Sequence, residues 1–314
     1  GGLQLAHAIA KVHEDLADPA AAMDWLDKGK ALVRQNIPSQ RMQNQASFEA
    51  AEALCHTLGV NSEVQTGGPI FIVGLPRTGT TLVDRIISSH SGIVSAGERP
   101  EFGAFLKRAV GNDSADMLDA RTIKGAAGTD LLAVGQNYIE SVQGILNGAQ
   151  RFTDKMPINA LLVPAILAAL PNARVICLRR QPADSVLSIY RQLFALSALH
   201  YRCAHSLEDL ADYVARFHGL VETYTGALPS SRFTLVDYET LVEEPEAETR
   251  RLLEFCGLDF EQACLDFQEN SAPVATASVA QVRQPMYRSS VDRWKRYQPQ
   301  LEPALEILRK AGRL

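Results

Sequence analysis

Residues 69–82 read PIFIVGLPRTGTTL. The continuous apolar run PIFIV suits a strand buried on both faces. It stops at Gly74, crosses a loop carrying Pro76, Arg77 and Gly79, and enters TTLVDRIISSH, whose apolar residues recur at helical spacing. Backbone N–H groups and the helix dipole at such a strand–loop–helix junction make an anion site. Residues 74–81, GLPRTGTT, match the phosphate-loop pattern G-x-x-x-x-G-K-[ST] except that Thr80 stands in the lysine position. The absent lysine is the residue that reaches the β- and γ-phosphates of a triphosphate. A ligand with a single 5′-phosphate in the loop accounts for its absence, with cationic help from Arg77 and Lys155.

Further strand candidates are 151–155 (RFTDK), 173–179 (ARVICLR) and 232–238 (RFTLVDY). Helix-like segments lie between and after them, at 130–147, 158–170, 182–197, 206–227 and 244–256. This alternation predicts an α/β fold, a P-loop-type parallel sheet with helices on both faces. Ligands of such sheets bind at the carboxyl ends of the strands. Arg77, Lys155, Arg180 and Tyr238 each follow one of the four strands read here. Residues 3–58 read as helices, and Ala10, His13, Ala22, Leu26 and Gly29 fall near the positions of a tetratricopeptide unit. The expected organisation is a helical, tetratricopeptide-like N-terminal extension over 1–62 and a second domain over 67–314.

At 46% apolar and 21% charged residues, the 314-residue chain can bury a substantial core. A net charge of −5 argues against a general nucleic-acid binder, so any anion site is local. The five cysteines form no CxxC pair, which disfavours a disulfide framework or zinc site and points to a reduced, cytoplasmic setting. The longest apolar stretch, 158–170, is shorter than the ~20 residues a spanning helix needs, and no signal peptide opens the chain.

Three further segments carry a resemblance. PIFIVGLPRTGTTL is similar to the 5′-phosphosulfate loop of sulfotransferases, with Thr78 for the common serine. VICLRRQPADSVLSIY (175–190) resembles the family's 3′-phosphate segment, an apolar strand, an arginine and a serine on the next helix. RFTDKMP (151–157) and VATASVAQVRQPMYRSSVDRW (274–294) look like segments of bacterial tetratricopeptide-linked sulfotransferases, relatives of the tyrosylprotein sulfotransferases. The resemblance covers residues 67 to 298. It implies 3′-phosphoadenosine-5′-phosphosulfate as donor, 3′,5′-adenosine bisphosphate as product, and no metal.

The same resemblance assigns roles. Arg77, Thr78, Gly79, Thr80 and Thr81 hold the 5′-phosphate, and Arg77 with Lys155 neutralises charge on the leaving oxygen. Arg180 and Ser188 grip the 3′-phosphate, although a one-residue shift of the alignment exchanges Arg180 with Arg179. Tyr238, Ser278, Arg283, Arg288 and Ser289 complete the nucleotide site. An ungapped match makes Glu98 the base that takes a proton from the acceptor hydroxyl. Relatives carry Gly-Glu-Glu where this chain has Gly97-Glu98-Arg99. That departure weakens the inference of a tyrosine peptide substrate, and a peptide tyrosine, a saccharide, a lipid headgroup and a small alcohol are all open as acceptors. His90, His200 and His205 are alternative bases outside any family motif. Two rival functions stand beside this one. A nucleotide kinase or NTPase would use Asp237 to help hold Mg²⁺, and a non-catalytic anion- or peptide-binding module would use the loop alone.

Overall fold

The structure, a computed structural model, describes residues 1–65, 67–146, 149, 151–194, 199–272, 282–284, 286 and 288–314, with 199 and 200 described by backbone only. Its strands are β1 Ile70–Gly74, β2 Val94–Ser95, β3 Phe152–Lys155, β4 Arg174–Arg179 and β5 Phe233–Asp237. They form one parallel sheet in the order β2-β3-β1-β4-β5. The α-helices of the described residues are α1 Gly2–Asp15, α2 Pro19–Arg34, α3 Arg41–Thr57, α4 Thr80–Ser88, α5 Glu101–Val110, α6 Ala120–Gly125, α7 Leu131–Leu146, α8 Val163–Ala169, α9 Pro182–Tyr190, α10 Leu207–Ala227, α11 Tyr238–Glu243, α12 Pro245–Cys256 and α13 Gln298–Lys310.

The chain divides into two compact units, 47–180 with 219–288, and 1–46 with 181–218 and 289–314. The first of these contains the sheet. β1 lies at its centre with every residue buried, because both its faces are covered. Ile70 and Ile72 pack with Val83, Ile86 and Ile87 of α4 and with Leu252, Leu253 and Cys256 of α12. Phe71, pointing the other way in the two-residue period of a strand, stacks on Phe102 and Tyr138 with centroids 6.2 and 5.5 Å apart. Each such side chain contributes ~1.5–3 kcal/mol by leaving water. The sheet is thereby fixed on both faces, and its carboxyl edge becomes a firm mount for side chains.

The second unit is helical. α1 and α2 pack so closely that a Cβ on Gly29 would sit 2.7 Å from the Ala6 Cβ. Lys30 of α2, 1% exposed, donates to the Ala204 carbonyl at 2.7 Å with its ammonium 4.7 Å from the Tyr190 ring centroid. Arg34, one turn on, donates to the His205 carbonyl at 2.9 Å.

Several boundaries differ from the sequence reading. A fifth strand, the two-residue β2, falls between the first and second of the four expected. The segment expected as a helix over 158–170 opens as a 3₁₀ turn, Pro157–Leu162, and becomes α-helical at Val163. Pro164 explains this, since proline fits a helix's first turn but not its interior. α9 ends at Tyr190 rather than 197, and Arg191 leaves it to pair with Glu14. All five cysteines are free thiols and buried. No helix of the described residues is long and apolar enough to cross a membrane.

Candidate active site

The loop after β1 emerges between the strands that carry Lys155 and Arg179. Ile72 pairs with Lys155 of β3, and Gly74 pairs with Leu178 of β4. Arg77 adopts φ +67, a left-handed conformation that costs a non-glycine residue roughly 1–2 kcal/mol. Such strain is typical of ligand-holding loops. The Thr78 hydroxyl donates to the Leu75 carbonyl at 2.7 Å and closes the turn. Gly79, at φ +101, is the N-cap of α4, and Thr80 and Thr81 form its first turn. First-turn amides have no intrahelical acceptor, so they face a ligand position with the positive end of the helix dipole behind them. A Cβ at Gly79 would meet the Tyr238 ring at 2.8 Å. Only glycine fits there.

Lys155 and Glu98 come together on the β3 side. Lys155 ends β3 with its side chain 2% exposed, and its Nζ donates to Glu98 Oε1, on a side chain 44% exposed. The backbone fixes this meeting. The Ala96 N–H donates to Thr153 O at 2.8 Å and the Lys155 N–H to Gly97 O at 2.9 Å. A carboxylate that can take a proton thus stands at solvent, held by a buried ammonium. Sequence reasoning missed what lies beneath. Asp84 of α4 accepts from the Thr153 hydroxyl and, at 3.0 and 3.1 Å, from Ser95 Oγ. Burial pushes its carboxyl up, opposed by those hydroxyls and by the charge of Lys155. Asp154 accepts from the Tyr138 hydroxyl at 2.5 Å. Burial pushes Asp154 up to about 8, although Tyr138 and the Arg99 N–H favour its charged form. The available signal was a carboxylate on the buried face of an amphipathic helix and another inside a buried strand.

On the other side, Arg180 is 6% exposed. It donates to the Arg77 carbonyl at 3.2 Å and lies 4.8 Å from the Tyr238 ring centroid. The loop, Arg180 and Tyr238 therefore form one packed group. Arg179 takes both carboxylate oxygens of Asp237, at 2.7 and 2.9 Å. Ser188 is half-buried on α9, in the helical unit. Arg283 and Ser289 are exposed. Arg288, also exposed, donates to the Glu243 carbonyl at 2.9 Å. Ser278 lies outside the described residues. Of the histidines, His90 pairs with Glu261 at 3.4 Å. His205 belongs to the helical unit, where burial lowers it to about 4. The side chain of His200 lies outside the described residues. No cluster of metal-ligating side chains occurs among the described residues.

The residues present suit a phosphorylated ligand. They offer amides and hydroxyls at a helix N-terminus and cations on either side, Lys155 and Arg180, while Asp237 is taken by Arg179. The sulfotransferase family model matches residues 69–262. An uncharacterized protein of Aquifex aeolicus (strain VF5) is 36% identical over 319 residues, which is 96% of this chain and 41% of that protein. A protein-tyrosine sulfotransferase of Drosophila melanogaster is 22% identical over 240 residues, 72% of this chain and 46% of that protein. The chain thus spans less than half the length of either relative. The sulfotransferase domain from the curacin biosynthetic pathway has a similar fold, with TM-score 0.52 and 18% identity over 80% of this chain and 99% of that domain. The family match runs from the first sheet strand through the loop, the Glu98–Lys155 pair, Arg180 and Tyr238, and the chain belongs to the sulfotransferase family.

Proposed function

We propose that this chain transfers a sulfonyl group from 3′-phosphoadenosine-5′-phosphosulfate to an acceptor hydroxyl. The donor supplies the activated sulfonyl: its S–O bond to the 5′-phosphate breaks as a new S–O bond forms to the acceptor, leaving 3′,5′-adenosine bisphosphate. Amides of Thr78 to Thr81 and the hydroxyls of Thr80 and Thr81 hold the 5′-phosphate. Arg77 and Lys155 set positive charge against the leaving oxygen, and the burial of Lys155 strengthens that interaction by excluding water. Glu98 receives the acceptor's proton. Arg180 takes the 3′-phosphate, with Tyr238, Arg283 and Arg288 around the nucleotide. A tyrosine hydroxyl is the first acceptor to try, on the name of the Drosophila relative.

The observation that carries this reading is the Lys155–Glu98 pair one strand away from a phosphate loop that lacks its lysine. It supplies a cation and a base where a displacement at sulfur needs them. For a kinase, Asp237 would have to give up its two-point pairing with Arg179 before helping to hold a metal. Thermal unfolding tests the reading. A ligand at a hundred times its dissociation constant stabilises by about 2.7 kcal/mol. We expect that response to 3′,5′-adenosine bisphosphate and its loss in Arg180→Ala. Stabilisation by ATP with Mg²⁺ and none by the bisphosphate would overturn the reading in favour of a kinase.

A further inference from the structure

We propose that Asp84, a carboxyl group outside the transfer chemistry, is a positioning residue that clamps the turn 95–97 so that Glu98 meets Lys155. This rests on the reading of Glu98 as the base.

Asp84 is buried, at 7% exposure. Burying a carboxyl is costly, and apolar residues of similar volume often serve stability as well or better. Its contacts explain what it does instead. Asp84 holds Ser95 Oγ, and the same oxygen accepts from the Gly97 N–H at 3.2 Å. It also takes the Thr153 hydroxyl, on the strand residue whose carbonyl receives the Ala96 N–H. Glu98 therefore projects from a turn anchored just before it by a buried carboxyl. Gly97, at φ +74, makes that turn.

Asp84 adds a second link. It lies on α4, one turn beyond Thr80 and Thr81. One nine-residue helix thus presents its N-terminus to the anion site and, from its next turn, ties down the loop bearing the base. Donor site and base are set by the same rigid element.

The test uses the whole chain with Asp84→Asn and the milder Ser95→Ala, which removes the Asp84 contact together with the acceptor of the Gly97 N–H. Amide hydrogen exchange is followed at Ala96 and Lys155, whose bonds tie the turn to β3 without the Ser95 side chain. Sulfonyl transfer is measured for each variant alone and in a Glu98→Gln background. A clamp predicts exchange faster by about tenfold or more at these amides, with the thermal shift from 3′,5′-adenosine bisphosphate retained. Turnover should fall ~10–100-fold, as expected for a displaced reacting group, with no further loss when Glu98 is already Gln. Unchanged exchange at Ala96 and Lys155 in both variants, or an equal loss of turnover in both backgrounds, overturns the proposal. Exchange needs no substrate, so a wild type that protects this loop yet transfers nothing refutes the catalytic reading and leaves the clamp standing.

Discussion

Replacing Gly79 by alanine separates two costs that the structure places on one atom. The first is backbone: at φ +101 an L-residue pays roughly 1–2 kcal/mol. The second is contact, since the new Cβ would stand 2.8 Å from Tyr238 Cδ2 and 3.4 Å from Cε2. Tyr238 is buried against Arg180, so the ring cannot retreat without moving the arginine. Overpacking of this kind costs about 1–3 kcal/mol, giving a total of about 2–5 kcal/mol. Gly111, the left-handed C-cap of α5, is the control: at φ +68 it has no atom within 4 Å of a built Cβ. Gly111→Ala pays the backbone cost alone. At about 2 °C per kcal/mol for a chain of this size, Tm should fall by ~4–10 °C in Gly79→Ala and by ~2–4 °C in Gly111→Ala. Calorimetric titration with 3′,5′-adenosine bisphosphate should show weakened binding only in Gly79→Ala, because the displaced ring carries Arg180 with it. Equal Tm losses in the two variants, with affinity intact in both, would refute the claim that loop, Tyr238 and Arg180 form one packed unit.

Three other outcomes are expected. Arg180→Met should weaken the bisphosphate by about 10–100-fold, the worth of a charge-assisted contact, while Arg179→Met changes it by less than about threefold; titration showing the reverse would exchange the two arginines. Lys155→Met should lower turnover by ~10²–10³-fold with the bisphosphate thermal shift retained, and a loss confined to KM would contradict its role on the leaving oxygen. Burial lowers Lys30 from an ordinary 10.5 to about 7. The unfolded chain therefore binds more protons between those values, and stability should rise with pH across that window. Lys30→Met should raise Tm near pH 7 and flatten the slope; parallel Tm–pH curves for both proteins would sink this.

The sheet was legible where single strands carry their own signal. β1 and β4 are apolar runs, β5 carries one in FTLV, and these strands together with the short polar β3 (FTDK) end where the sequence places Arg77, Lys155, Arg180 and Tyr238. β2 was not legible, because two residues, one of them exposed, make no pattern; their strand character comes from pairing with Phe152 and Thr153. Glu98 could be picked out only by likeness to relatives, and its neighbour Lys155 is 57 residues away in sequence. Asp84 and Asp154 escaped notice for the opposite reason. A carboxylate inside an apolar pattern reads as an interruption until the hydroxyls of Ser95, Thr153 and Tyr138 are seen around it. The end of α9 was overrun because 191–194 continue its composition, while the Arg191–Glu14 pair that draws the chain away is a tertiary contact.

Transfer itself tests the central claim most directly. The wild-type chain is incubated with 3′-phosphoadenosine-5′-phosphosulfate and a tyrosine peptide or a panel of phenols and alcohols, and products are read by mass spectrometry. The account predicts a sulfated acceptor and one bisphosphate released for each, with transfer abolished in Glu98→Gln although that variant still binds the bisphosphate. Undiminished transfer by Glu98→Gln, or phosphoryl transfer from ATP with Mg²⁺ in place of sulfonyl transfer, would contradict it.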